Sequence, residues 1–166
     1  MNQSSCFQNN LVDLSNAPWT MHEFFAGSGL VAYGLKGMFK PIWANDISEQ
    51  KAVVYKENFG DGYFKLDDIK NINGKNLPFA NLSWASFPCQ DLSLAGSLGG
   101  IHASRSGLVW EWLRVLDEMP NKPKILLLEN VLGLLSTNGG DNYRVLHMSL
   151  VAVSYTHLTL PTTSRV

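Results

Sequence analysis

The chain has little cysteine, no surplus of either charge and no long apolar run, and each shortage removes a class of protein. Its 166 residues hold two cysteines, Cys6 and Cys89. That is too few for a disulfide framework or a cysteine-rich metal site, so no metal is expected and a reduced thiol is the better reading. Lys and Arg number 13 against 14 Asp and Glu, for a net charge of −1. A broad basic face for nucleic acid is therefore absent, and any such contact must be confined to one loop or to a further region. No stretch reaches the roughly 18 apolar residues of a membrane span, and Met1 to Asn10 is polar, which excludes a span and a signal peptide and predicts a cytoplasmic protein. What is there is globular: 45% hydrophobic and 16% charged residues, enough for one core.

Strand and helix patterns alternate along the chain. Residues 1–18 have no period and read as a loose extension. Trp19 to Phe25 is a strand that runs into Gly27-Ser28-Gly29 and a helix ending near Gly37. Phe39 to Ala44 is a second strand, closed by Asn45-Asp46, with a helix from Ser48 to Asn58 behind it. Tyr63 to Leu66 is a short third strand ending in acids, followed by a polar loop over Lys70 to Pro78. The apolar run Leu82 to Phe87 is a fourth strand, and a small-residue loop through Gly96, Gly99, Gly100 and Gly107 leads to a helix over Ser106 to Met119. Ile125 to Leu128, continuously apolar, reads as a central parallel strand covered on both faces. A last helix spans Asn142 to Leu150. The alternation predicts an α/β fold, a doubly wound parallel sheet.

All five strand ends carry candidate chemistry. The glycine turn after the first strand is where backbone can approach a nucleoside closely, although a tight βα turn has the same form. Asp46, at the tip of the second strand, is placed to accept hydrogen bonds from ribose hydroxyls; its plain alternative is to cap the next helix, a role open to Ser48 as well. Asp68 is suited to an adenine amino group or to ordinary loop solvation. Cys89 follows the fourth strand directly, and the fifth delivers Glu129 to the same edge. Pro88 and the pair Gln90-Asp91 argue against a buried structural thiol. A Cys–His hydrolase built on His102 leaves the glycine turn, Asp46 and Glu129 without a task.

Phe25-Ala26-Gly27-Ser28-Gly29, Asn45-Asp46, Asp68-Ile69, Pro88-Cys89-Gln90, Arg105-x-x-Leu108 and Glu129-Asn130-Val131 stand in the order and spacing of one family. Over Glu23 to Leu150 the chain resembles the cytosine-C5 DNA methyltransferases. The resemblance implies a Rossmann-like sheet that binds S-adenosylmethionine through Phe25, Gly27, Gly29, Asp46, Asp68, Pro88 and Leu108. It makes Cys89 the nucleophile and sets Glu129 on the cytosine ring, with Gln90, Ser93, Arg105, Asn130 and Val131 on the substrate and loop side. It further implies double-stranded DNA with the target base flipped out, a monomer when complete, and a restriction-modification or DNA-marking role. A tRNA cytosine methyltransferase of the same family, or a silent nucleoside-binding fragment, are the alternatives. Leu30 departs from the family's usual glycine and is expected to face helix packing.

The chemistry asks for these residue types independently. C5 of cytosine is a poor nucleophile, and a thiolate adding to C6 makes C5 enamine-like. The charge that develops is neutralised at N3 by a glutamate, for which a raised pKa is expected from the apolar strand end Leu126 to Leu128. The loop Asp91 to Ser106 is suited to closing over an extruded base. After Leu150 the resemblance stops. Residues 19–150 read as a partial catalytic domain, the sheet incomplete on its C-terminal side. Residues 151–166 read as a non-native tail and a target-recognition region as absent, so this stretch by itself is expected to be silent on DNA.

Overall fold

The computed structural model describes residues 11–87, 107–130, 141–157 and 159. Five strands, β1 (Trp19–Phe24), β2 (Phe39–Asp46), β3 (Phe64–Leu66), β4 (Leu82–Ala85) and β5 (Ile125–Leu128), form one sheet in the order β3-β2-β1-β4-β5. Every pairing is parallel. The chain winds outward from β1 to β3, then crosses back to lay β4 against the other side of β1. That reversal puts a crevice outside the carboxyl ends of β1 and β4, where doubly wound sheets hold ligands. The expected α/β, Rossmann-like, doubly wound sheet is the observed architecture.

Alternation along β1 sorts its residues onto two faces. Met21 packs with Ala32 of α1 (Leu30–Gly34) and with Ala52, Tyr55 and Phe59 of α2 (Glu49–Phe59). Phe24 faces the other way, onto α3 (Leu108–Glu118) and α4 (Asp141–Ala152). On α3 the buried set includes Val109, Trp112, Leu113 and Leu116, a stripe at helical spacing wide enough to seat the helix on the sheet. Arg114 leaves that stripe to join Glu111 and Glu118 and to donate to the Ile69 and Ile72 carbonyls at 3.1 Å. It thereby ties α3 to the loop behind Asp68. Expected as irregular, that loop contains two short 3₁₀ turns, Ile69–Asn71 and Gly74–Asn76, each capped by the preceding side chain, Asp68 or Asn73.

Two expectations change. β5 is the last strand of the described sheet rather than a covered central one, and Ile125 and Leu127 are 50% and 43% exposed. An unbroken apolar run signals burial on both faces, but only neighbours can supply it, and among the described residues β4 is the one strand beside β5. Leu30 does not face packing. As the first residue of a five-residue helix it points outward and is 82% exposed.

Candidate active site

The glycine turn leaves β1 through three consecutive demands on the backbone. Phe25 takes φ +57°, an uncommon conformation for a side chain of its size, and Gly27 and Gly29 take +58° and +87°. A left-handed non-glycine residue costs of order 1–3 kcal/mol and persists where its surroundings hold it. Here they do. The Ala26 amide donates to the Asn45 carbonyl at 2.9 Å, and the Phe25 ring meets Phe87 edge-on with centroids 6.4 Å apart. The two glycines differ in why they are glycines. A Cβ on Gly29 would overlap the Phe59 ring, whereas nothing lies within 4 Å of where a Cβ on Gly27 would stand. Gly29 is required by packing, whereas none of the described residues crowds Gly27.

Asp46 closes this turn from β2. One carboxylate oxygen accepts the Gly27 amide at 2.8 Å and the other the Ser48 amide at 2.9 Å. Ser48 is itself the N-cap of α2, accepting from the Lys51 amide. So Asp46 is not the cap, and its side chain joins the glycine turn to the start of α2. Its neighbour Asn45 does the equivalent toward β3, donating to the Lys65 and Asp67 carbonyls at 2.9 Å. Asp68 is half-buried at the third strand end, with one oxygen on the Lys70 amide. Phe25, Gly27, Gly29, Asp46 and Asp68 thus line one edge of the sheet.

On the other side of the crevice β4 and β5 run side by side to their carboxyl ends. The Glu129 amide donates to the Ala85 carbonyl at 3.0 Å, and the Asn130 amide group donates to the Phe87 carbonyl at 3.2 Å. Glu129 and Asn130 are therefore bound to the strand end that continues into Pro88. Glu129 is exposed, so the desolvation expected from Leu126 and Leu128 is not supplied to it. On this last strand of the described sheet Leu126 and Leu128 are only half-buried themselves. Leu108 opens α3 and packs against the core on that face. Pro88, Cys89, Gln90, Ser93, His102, Arg105 and Val131 lie outside the described residues.

Sequence reasoning passed over the pair buried beneath the turn. Glu23 and His22 are fully buried on opposite faces of β1. Glu23 accepts the Tyr55 hydroxyl at 2.9 Å and the Ala32 amide at 3.3 Å. Desolvation pushes its carboxyl up to about 7 against the pull of those two bonds. His22 donates from Nε2 to the Pro78 carbonyl at 2.8 Å, its Nδ1 has no partner, and burial lowers its pKa to about 4. The available signal was a His-Glu pair between Met21 and Phe24 inside a strand, where an ionisable side chain must find a partner or stay neutral.

The C-5 cytosine-specific DNA methylase family matches residues 19–159. The type II methyltransferase M.Bsp6I of Bacillus sp. (strain RFL6) is 33% identical over 134 residues, 79% of this chain and 42% of that protein. M.BsuFI of Bacillus subtilis is 31% identical over 137 residues, 82% of this chain and 32% of that one. Among solved structures the S. pombe Dnmt2 methyltransferase superposes with a TM-score of 0.59 at 24% identity, over 78% of this chain and 39% of that chain, a likeness of fold. The chain thus spans between 32% and 42% of the length of these two curated relatives. A family match over most of the chain, together with a glycine turn and a carboxylate-bearing strand end facing one crevice, makes this chain a member of the C-5 cytosine-specific DNA methylase family.

Proposed function

We propose that the chain is the catalytic portion of an enzyme that methylates C5 of cytosine in duplex DNA, in a type II restriction-modification setting like that of its relatives. The observation that carries the reading is the double tie of Glu129 and Asn130 to the strand end leading into Pro88-Cys89-Gln90. It ties the segment holding a carboxylate to the strand end after which Cys89 follows in sequence, and a carboxylate and a thiol are the two groups that cytosine activation needs. The donor set at the other edge suits S-adenosylmethionine. Gly27 leaves open room over the turn, and Asp46 and Asp68 offer carboxylate acceptors for ribose hydroxyls and an amino group. Phe25, Gly29, Pro88 and Leu108 complete that side. When bound, the cofactor supplies an electrophilic methyl group.

The protein's own residues do the activation. The Cys89 thiolate forms an Sγ–C6 bond, and the electrons of the C5–C6 double bond move to C5, turning it into a nucleophile. Glu129 holds a proton at N3, where negative charge develops. After methylation the C5 proton leaves to a base, its electrons restore the double bond and Cys89 departs. Gln90, Ser93, Arg105, Asn130 and Val131 flank the flipped base and the nearby backbone. The net charge of −1 leaves the phosphate grip to a further region of the longer, monomeric, cytoplasmic protein.

The test is made in a protein extended to the length of its relatives. Cys89→Ser should lower methyl transfer at least about a hundredfold while cofactor affinity is kept. A duplex with 5-fluorocytosine at the target should trap an adduct, because fluorine cannot leave C5 as a proton does. Peptide mapping that puts the adduct anywhere but Cys89, or a serine variant near parental rate, refutes the assignment.

A further inference from the structure

We propose that Glu23 is a positioning residue for cofactor binding, whose carboxylate locks the start of α1 and the flank of α2 onto β1 and so sets the shape of the Gly27–Gly29 turn. The inference rests on reading that turn as the cofactor cradle. α1 has only five residues and no side-chain cap, since its N-cap is Gly29. The amides of a helix's first turn have no partner inside the helix. Glu23 provides one from below, through Oε1 to the Ala32 amide, while Oε2 takes the Tyr55 hydroxyl from α2. The Tyr55 ring does a second job, standing 3.0 Å from where a Cβ on Gly29 would be. The side chain that donates to Glu23 is therefore also a wall of the turn, and a displaced Glu23 releases both.

The lock depends on charge state. An ionised carboxylate accepts from both donors at once. A carboxylic acid turns one oxygen into a donor and gives up or reverses one of the two bonds. Burial brings this change close to neutral pH, at about 7. The titratable groups acting on Glu23 are Tyr55 from α2 and Tyr63 ahead of β3, both held above their ordinary pKa and neutral there. Asp46 meets the turn separately, at the Gly27 amide, and His22 faces the opposite side of the sheet. A ligand that needs the locked turn binds the ionised form better. By linkage its binding then expels a proton at pH values below the Glu23 pKa.

The experiment is calorimetry of the 166-residue chain with S-adenosylhomocysteine, which lacks the sulfonium charge, in two buffers of different ionisation enthalpy. In the parent, affinity should rise about tenfold between about pH 6 and about pH 8, with a proton released on binding at the lower pH. Glu23→Gln keeps the shape and cannot titrate, so its profile should be flat. Tyr55→Phe removes a bond that lowers the Glu23 pKa, so the midpoint should move to higher pH. A flat parent profile, or a Glu23→Gln profile as steep as the parent, overturns the proposal. Should Glu23→Gln fail to fold, an unmoved midpoint in Tyr55→Phe overturns it instead. Binding without pH dependence leaves the cofactor reading intact and removes Glu23 from it. A folded parent that binds at no pH overturns the cofactor reading and, with it, this one.

Discussion

On the α1–α2 face the buried layer contains a carboxyl, a phenol and two further aromatic rings, with Tyr55 packed 4.9 Å from Phe59 and 4.8 Å from Phe64. On the α3–α4 face the layer is largely apolar, and its polar members include His22, Ser149 and the Ser83 hydroxyl that accepts from the Trp112 indole. The first face stands directly under the glycine turn, and its bonds are directional: Glu23 to α1 and α2, Asp46 to the turn and α2. The second face carries the strand ends of Phe87 and Glu129 mainly on area, with few directional bonds from α3: the Trp112 indole to Ser83, and the Arg114 and Glu118 ties to the loop behind Asp68. Area holds a helix against a sheet but leaves position loosely specified, whereas hydrogen bonds in a low-dielectric layer define distance and angle. The cradle sits on the face where geometry is specified bond by bond.

That contrast is broken hardest at Gly29. Gly29→Ala forces a Cβ into the Phe59 ring at φ +87° and should cost about 3 kcal/mol or more in urea unfolding, from left-handed strain plus overpacking. Gly27→Ala has the same sign of φ but free space, and its stability cost should stay near about 1 kcal/mol while cofactor affinity falls. Equal costs at the two positions would show that conformation alone, and not the packing of α2, governs the turn.

The two buried neighbours on β1 sharpen the comparison through pH. His22 titrates near 6.5 when unfolded and about 4 when folded. Between those values the unfolded chain holds the extra proton, so stability rises with pH. Glu23 titrates near 4.5 unfolded and about 7 folded. There the folded chain holds the extra proton, so stability falls as pH rises. Each effect is about 3 kcal/mol at full extent, and in the shared window they oppose each other. The parent should therefore be nearly flat from pH 4.5 to 6.5, while Glu23→Gln gains stability with pH across that window and His22→Asn loses it. Denaturant titrations at three pH values check this, and parallel profiles for all three proteins would defeat it.

The smallest effect belongs to the edge. Ile125→Thr, on a half-exposed position of β5, should change stability by less than about 0.5 kcal/mol in the 166-residue chain. A loss above about 2 kcal/mol would mean that this face is covered.

Much of the site is legible in the order of residues along the chain. Glycines at a strand end, an acid at the next tip and a thiol after a third strand are local signals, and the residues that bear them do meet one edge wherever they are described. Glu23 is illegible there because its importance lies in the Tyr55 hydroxyl and the Ala32 amide, neither of which is adjacent to it in sequence. The expected environment of Glu129 is wrong for a related reason. An apolar run before a carboxylate suggests desolvation, but whether it occurs depends on what lies beside β5. Ser48 resolves a choice that sequence leaves open between it and Asp46, since only backbone direction decides which side chain meets which amide.

By itself the sequence determined the period and punctuation of this protein: which stretches are strands, where glycine must turn the chain, and which chemical groups lie at the ends. Those are properties of neighbours along the chain, governed by side-chain alternation and by allowed φ and ψ. Only the tertiary structure decided that β5 is the last strand of the described sheet, that Leu30 points outward, and that one glutamate is buried while another is exposed. Desolvation and hydrogen-bond partnership depend on which distant segments arrive in three dimensions, and no local pattern carries that information.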